Sequence, residues 1–354
     1  MKKKVTFIIT DMSSGGAERV LSIIANYLAQ RTNIDVKIVA IQDDLVDYPL
    51  DERINHFYLE CKMKSKPLRI IERVIKLRRI IKDSDVVISF LWFLNIYTVI
   101  ASLFLNKKII ISDRSDPANE VKGMFSIGRI LRNLFYRLPD KIVFQTLDAS
   151  NYYPNAIRKS STIIPNPISP YLPPRYSGER KKEIVAMCRL APQKNLTMMI
   201  DSFEMLVKDH PEYRLIIYGE GEQRQELEKY IDQLRLNEKI ELPGFKNNIH
   251  EKIIDSAIFV SSSNYEGISN SMLEALGMGI PSVVTDCPVG GARMYITTNE
   301  NGILVPVGDA KAMYRGMKKI VEDKDFSEKM SKKATLIRND LSVDVICKKW
   351  LELI

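Results

Sequence analysis

Cysteine is scarce in this chain, with four in 354 residues. Cys61, Cys188, Cys287 and Cys347 stand far apart with no C-x-x-C pair, which excludes a disulfide framework and a zinc site and predicts reduced thiols in a cytoplasmic protein. The sequence contains no repeat of roughly 20–50 residues and no low-complexity segment, so it is not a solenoid. It lacks the Gly-Lys-Ser/Thr of a phosphate-binding P-loop and the three-glycine dinucleotide fingerprint. No aromatic-studded strand pattern accompanies its basic residues, so nucleic acid is not an expected partner.

Long hydrophobic runs are also few. "MKKKVTFIIT" has basic residues before an apolar run of about six, too short for a signal peptide and without a cleavage site, so a first buried strand is expected. "VVISFLWFLNIYTVIASLFL" reaches the ~20 residues needed to cross a bilayer. It opens, however, as a β-branched strand, Val86 to Phe90, and Asn95 can cap a helix after it, which predicts a strand-loop-helix in a buried core.

What is present is an ordinary globular composition, 45% hydrophobic and 27% charged, over a length that favours two domains. The net charge of +8 is unevenly placed: residues 1–180 hold 28 Lys/Arg against 18 Asp/Glu, and residues 181–354 hold 24 against 26. The excess gathers in a basic amphipathic helix beginning near Pro67, where Arg69, Arg73, Lys76, Arg79 and Lys82 alternate with Ile71, Val74, Ile75 and Ile81. A second such segment, "MFSIGRILRNLFYRL", carries Arg129, Arg132 and Arg137. Residues 67–82 and 124–138 can therefore rest on an anionic membrane surface, at about 1 kcal/mol per Lys/Arg near the headgroups. They can equally be outer helices with apolar faces on the core.

Short apolar strands alternate with helical patterns along the chain. "VTFIIT", "VKIVAI", "VVISF", "KIIIS" and "KIVFQ" are the strands of the first half; "EIVAMC", "RLIIYG", "IELPG", "AIFVSS" and "PSVVTD" are those of the second. Helices are expected at 17–30, 195–208, 222–236 and 271–277. This predicts an α/β chain with two parallel sheets, each covered by helices on both faces. A proline-rich linker, 168–182, separates residues 1–167 from 183–335, because such proline density leaves no helix or central strand.

Ligands of open α/β sheets bind beyond the carboxyl ends of the strands, so the loops there carry the chemistry. Gly15 and Gly16 of "SSGGAER" precede a helix and let backbone amides approach a phosphate. "YGEGE" reads as a strand-to-helix turn. In "CRLAPQKNL", Arg189 and Lys194 sit on one loop before a helix, where they suit a diphosphate; two surface cations would look the same, although cations at a helix N-terminus oppose its dipole. In "EGISNSMLEALG", Glu266 and Glu274 flank Gly267, Ile268, Ser269, Asn270 and Ser271. With Ser269 or Asn270 capping the helix, the amides between face an anion, one carboxylate can hold a ribose diol and the other a sugar hydroxyl. The loop set fits a nucleotide-sugar.

These segments, with "ISDRSDP", "IIPNP", "LPGF" and "NGILVPVGD", occur in the order found in retaining glycosyltransferases of family four, which the chain resembles over nearly its whole length. The resemblance implies the GT-B fold, two Rossmann-like parallel-sheet domains facing across a cleft, with a C-terminal helix, 336–354, crossing back to an acceptor-binding first domain. It implies that Arg189 and Lys194 bind the donor diphosphate and stabilise the leaving nucleotide, Glu266 binds the transferred sugar, Glu274 the ribose, and Gly16 closes the phosphate site. Gly244 and Phe245 of "LPGF" also fall in the donor region. Relatives often place a histidine in a first-domain loop facing the sugar; this chain has Asp113 and Arg114 there, as cleft residues or an ion pair.

The resemblance further implies retention of configuration and no metal or other cofactor. "DSD" at 83–85 imitates a metal-binding Asp-x-Asp but precedes a strand as helix-end residues do. The expected partners are a nucleotide-sugar, UDP-linked, and a polyprenyl-diphosphate-linked or other glycan acceptor, handled at the inner face of the cell membrane. A nicotinamide enzyme, a sugar-nucleotide epimerase and a silent nucleotide-binding subunit would share the layout.

Overall fold

The computed structural model describes residues 2–13, 15–119 and 127–354, and the chain divides into two compact units, one of Met1–Pro167 with Leu341–Ile354 and one of Ile168–Asp340. In the first, the strands are β1 (Lys3–Ile9), β2 (Ile34–Ala40), β3 (Asn55–Tyr58), β4 (Val86–Phe90), β5 (Lys108–Ser112), β6 (Lys141–Phe144) and β7 (Ser161–Ile163). Its helices are α1 (Gly16–Ala29), α2 (Lys66–Ile81), α3 (Trp92–Ser102), α4 (Ile127–Phe135), α5 (Leu147–Asn151) and α6 (Asn155–Arg158).

The second unit holds β8 (Lys181–Met187), α7 (Leu196–Asp209), β9 (Arg214–Tyr218), α8 (Arg224–Gln233), β10 (Ile240–Gly244), α9 (Ile249–Ile253), β11 (Ser256–Ser261) and α10 (Asn270–Gly277). It continues with β12 (Ser282–Thr285), β13 (Ile303–Val305), α11 (Ala310–Glu322), α12 (Lys324–Ala334) and α13 (Ile337–Asp340). The last helix, α14 (Val343–Leu353), belongs to the first unit.

Among the described residues the first sheet runs β3-β2-β1-β4-β5-β6-β7 and the second β10-β9-β8-β11-β12-β13, every pair parallel. Central strands such as β4 are buried along their whole length, the signature of a parallel sheet covered on both faces. Strand order reverses between β1 and β4 and between β8 and β11, so each unit has a topological switch point where loops diverge. As expected, the last helix packs on the first unit: Trp350 is fully buried with its ring 5.7 Å from that of Phe90, and Tyr27 Oη donates to Asp344 at 2.9 Å.

The segment 168–182 is part of the second unit rather than a free tether. Arg175 pairs with Glu328 at 3.0 Å, Arg180 donates to the Gly279 and Ser256 carbonyls at 2.8 and 3.0 Å, and β8 begins at Lys181. The return to the first unit starts at Leu341, later than residue 336, because Arg338 on α13 donates to the Gly277 carbonyl at 2.5 Å and ties that turn to α10.

The long apolar run resolves into β4 and α3, and among the described residues no helix is long and apolar enough to cross a membrane. Asn95 does not cap α3. It lies inside the helix, fully buried, and donates to the Ser112 carbonyl at 3.0 Å and to Tyr136 Oη at 2.9 Å. In "DSD" the main-chain amide of Lys4 donates to the Asp85 carboxylate at 2.8 Å, fixing the entry to β4.

The two basic segments follow the outer-helix reading only in part: α2 sets Leu77 and Ile81, with Val74 beside them, on the core. Helix α2 buries only Leu77 and Ile81 and leaves Leu68, Ile71 and Ile75 about half exposed. Helix α4 is turned over: Arg132, expected on the basic face, is fully buried, donates to the Pro117 carbonyl at 2.9 Å and stacks 4.9 Å above the Tyr153 ring. Ile130, Leu131, Leu134 and Leu138 face outward instead. Residues 124–126 of that segment lie outside the described residues.

Candidate active site

The loops leaving β8 and β11 meet at the switch point of the second unit. After β8 the chain passes against the turn that follows β9: the Cys188 amide donates to the Tyr218 carbonyl at 3.0 Å and the Leu190 amide to the Glu220 carbonyl at 2.9 Å. This approach explains the glycines of "YGEGE". A Cβ at Gly219, whose φ is +141°, would lie 1.9 Å from the Cys188 carbonyl oxygen, and one at Gly221 would lie 2.3 Å from that of Leu190. The turn therefore buttresses the cation loop.

Arg189, at the crest of that loop, is exposed, and among the described residues its guanidinium has no hydrogen bond or ion pair. A single 3-10 turn, Pro192–Lys194, follows, and Asn195 takes a left-handed conformation, φ 47°, to enter α7. That geometry turns Lys194 back onto the loop after β11, where its ammonium pairs with the Glu266 carboxylate. Ser262 Oγ donates to the Lys194 carbonyl at 2.7 Å, Ser263 Oγ to Glu266 Oε2 at 2.9 Å, and Gln193 Nε2 to the Tyr265 carbonyl at 2.8 Å. Burial would lower the pKa of Lys194, but the charge and hydrogen bond of Glu266 outweigh it and raise it, so the ammonium stays charged. Burial also pushes the neighbouring thiols of Cys188 and Cys287 up to about 11, keeping them protonated and unreactive at neutral pH.

From Glu266 the loop runs through Gly267 and the buried Ile268 to Ser269, which caps α10 by accepting from the Met272 amide at 3.3 Å. Ser269 Oγ also lies 3.0 Å from Ser271 Oγ, and Asn270 is the first residue of the helix. Of the two expected caps, serine takes the position. Glu274 follows one turn later and is buried, its Oε2 2.9 Å from His250 Nε2. Gly244 ends β10 with φ +78°, and Phe245 beyond it is 60% exposed.

In the first unit, Gly15 sits at the N-cap of α1 and Gly16 opens the helix. Glu18 of the first turn folds its carboxylate back so closely that a Cβ at Gly15 would meet its Oε2 at 2.0 Å, and Thr10 Oγ1 donates to it at 3.2 Å. The chain thus supplies its own anion to this helix N-terminus. Asp113 and Arg114 are buried. Asp113 accepts from Tyr153 Oη, and Arg114 donates to Asn166 and lies 5.0 Å above the Phe90 ring. Burial lowers the Arg114 pKa to about 9, with the Asp113 charge opposing. Of the sequence candidates, Lys194 and Glu266 are brought into contact, Glu266 through Glu274 form one continuous loop and helix start, and Asp113 and Arg114 belong to an interior network of the first unit. His250 was missed: it lies in no motif, and only the fold carries it to Glu274.

Residues 174–336 match the family model "Glycosyl transferases group 1". The chain is 27% identical, over 99% of its length and 98% of the relative's, to GalNAc-alpha-(1->4)-GalNAc-alpha-(1->3)-diNAcBac-PP-undecaprenol alpha-1,4-N-acetyl-D-galactosaminyltransferase of Campylobacter jejuni. It is 23% identical, over 99% of both, to the amylovoran biosynthesis glycosyltransferase AmsD of Erwinia amylovora. In fold it is similar to Anabaena HepE, solved in complex with UDP, with a TM-score of 0.83 at 17% identity over 99% of both chains. The chain therefore carries a glycosyl transferases group 1 domain over residues 174–336, on a GT-B fold, with relatives in bacterial polysaccharide biosynthesis.

Proposed function

We propose that this protein moves a sugar, with retention of configuration, from a UDP-linked hexose or N-acetylhexosamine to a polyprenyl-diphosphate-linked glycan in capsule, exopolysaccharide or O-antigen synthesis. The observation that carries this reading is the junction of Lys194 and Glu266 at the switch point, beside Arg189 and the start of α10, within the matched domain. The names of the relatives support an N-acetylhexosamine and an undecaprenol-linked acceptor.

Transfer breaks the anomeric C–O bond through a cationic, oxocarbenium-like state while negative charge grows on the departing diphosphate. Arg189 and Lys194 supply preorganised positive charge there, joined by the amides of the 267–271 turn, and electrostatic stabilisation of this kind is the largest catalytic contribution. Glu266 holds the sugar and exchanges its contact with Lys194 for one with the donor. Glu274 accepts the ribose hydroxyls. No metal is assigned a role.

A lipid-linked acceptor requires the enzyme at a membrane, and the first unit, which takes the acceptor in this reading, has a surface suited to one. Helices α2 and α4 both pack on α3. Each leaves aliphatic side chains exposed, Leu68, Ile71 and Ile75 on α2 and Ile130 and Leu134 on α4, and Phe104, just beyond α3, is 98% exposed. Helix α2 also carries Lys66, Arg69, Arg73, Lys76, Arg78 and Arg79. Such a surface inserts shallowly among headgroups and draws about 1 kcal/mol from each nearby cation on an anionic leaflet.

The test is a donor screen against lipid-linked glycans from the relatives' systems, with the anomeric configuration of the product read by NMR. Transfer with retention supports the proposal. Release of an epimerised nucleotide-sugar, or nucleotide binding without turnover of any donor, contradicts it.

A further inference from the structure

We propose that His250 is a positioning residue of the nucleotide site, holding the Glu274 carboxylate in the orientation that receives the ribose diol. This rests on the reading of Glu274 given above. His250 lies on α9, and its Nε2 is 2.9 Å from Glu274 Oε2, with the two side chains 22% and 4% exposed. A glutamate has three rotatable side-chain bonds, so a bond from a planar ring anchored on a different element removes most of its freedom before a ligand arrives.

The chemistry fixes the arrangement further. An ionised carboxylate only accepts, so the histidine must carry its proton on Nε2, and a carboxylate with about four lone-pair sites can accept from a ring N–H and from hydroxyls together. Burial of Glu274 strengthens the bond by excluding competing water. The position of α9 adds a second link. It begins five residues after Gly244, so the loop carrying Phe245 and the ribose carboxylate are joined through one imidazole.

Calorimetric titration of the full chain with UDP tests this, using wild type, Glu274→Ala, His250→Ala and His250→Gln. Glutamine can place an N–H where the imidazole Nε2 stood. The expected result is about tenfold weaker UDP binding in His250→Ala, the loss of about 1.4 kcal/mol, with recovery to within about threefold in His250→Gln and little change in melting temperature.

Unchanged UDP affinity in His250→Ala, with Glu274→Ala impaired, overturns the inference and leaves the site standing. Equal weakening in both histidine variants with a lowered melting temperature also overturns it, since only the packing of α9 would then matter. Wild-type affinity in Glu274→Ala removes the reading beneath it.

Discussion

The two units share one architecture and use polar residues in opposite ways. In the second, the loops at the switch point bring Lys194 and Glu266 together at partial exposure, 15% and 21% for the side chains, and leave Arg189 open. In the first, the polar residues around the carboxyl end of β5 are turned inward: Asp113, Tyr136, Tyr153 and Asn95 are buried and linked by hydrogen bonds among themselves, and the buried Arg114 donates to Asn166. Its exposed cations lie on outer helices beside exposed aliphatic side chains. On the proposed function the difference separates two tasks: charge at the carboxyl ends of a parallel sheet suits a small anionic ligand, and exposed aliphatic side chains beside cations suit a large amphipathic partner.

Four experiments would break or sharpen this contrast. Arg189→Ala should lower turnover on the order of a hundredfold or more, as removal of one preorganised donor does; activity within a few-fold of wild type would show that the open cation of the second unit is not at the chemistry. Arg132→Met removes the cation that the first unit buries beneath α4, and should cost about 2–4 kcal/mol in a denaturant titration. Its UDP affinity should stay at the wild-type value. A loss of affinity without a loss of stability would erase the division of labour.

Paired Ile130→Asp and Leu134→Asp substitutions place charge on the outward face of α4 and should reduce flotation with anionic liposomes about tenfold, without lowering the melting temperature. Equal recovery of wild type with neutral and anionic vesicles would remove the membrane face altogether. The smallest effect is expected for Glu18→Gln. Burial raises the pKa of Glu18 above 4.5, with the Asp11 charge adding and its hydrogen bonds opposing. Its contribution is thus present in full below pH 4.5 and lost as pH rises through the raised value, so removing the charge should stabilise the protein slightly at neutral pH. Melting curves at pH 4 and pH 8 should show the gain only at the higher pH.

Most of the sheet was legible because central parallel strands are continuous apolar runs. "VVISF" and "KIIIS" coincide with the central strands β4 and β5, and "IELPG" matches β10 although it stands at an edge. The strands that escaped, β3, β7 and β13, stand at sheet edges, where burial is partial and the run is broken. Site loops were legible where local chemistry dictates geometry, as with Ser269 at its cap. The inward turn of Arg132 and Arg114 was not, since a periodicity places a side chain on a face without saying whether that face meets water or two tyrosine rings. His250 was invisible for a related reason: twenty-four residues separate it from Glu274, and only the strand order makes them neighbours.

The most direct test of the central claim, a nucleotide-sugar site at the switch point of the second unit, is titration of the purified chain with UDP, GDP and NAD in turn, repeated with Lys194→Ala. The account predicts UDP binding with a Kd of about 1–100 μM, near typical substrate levels, and its loss in the variant. Binding of NAD alone, or UDP affinity indifferent to Lys194, would contradict it.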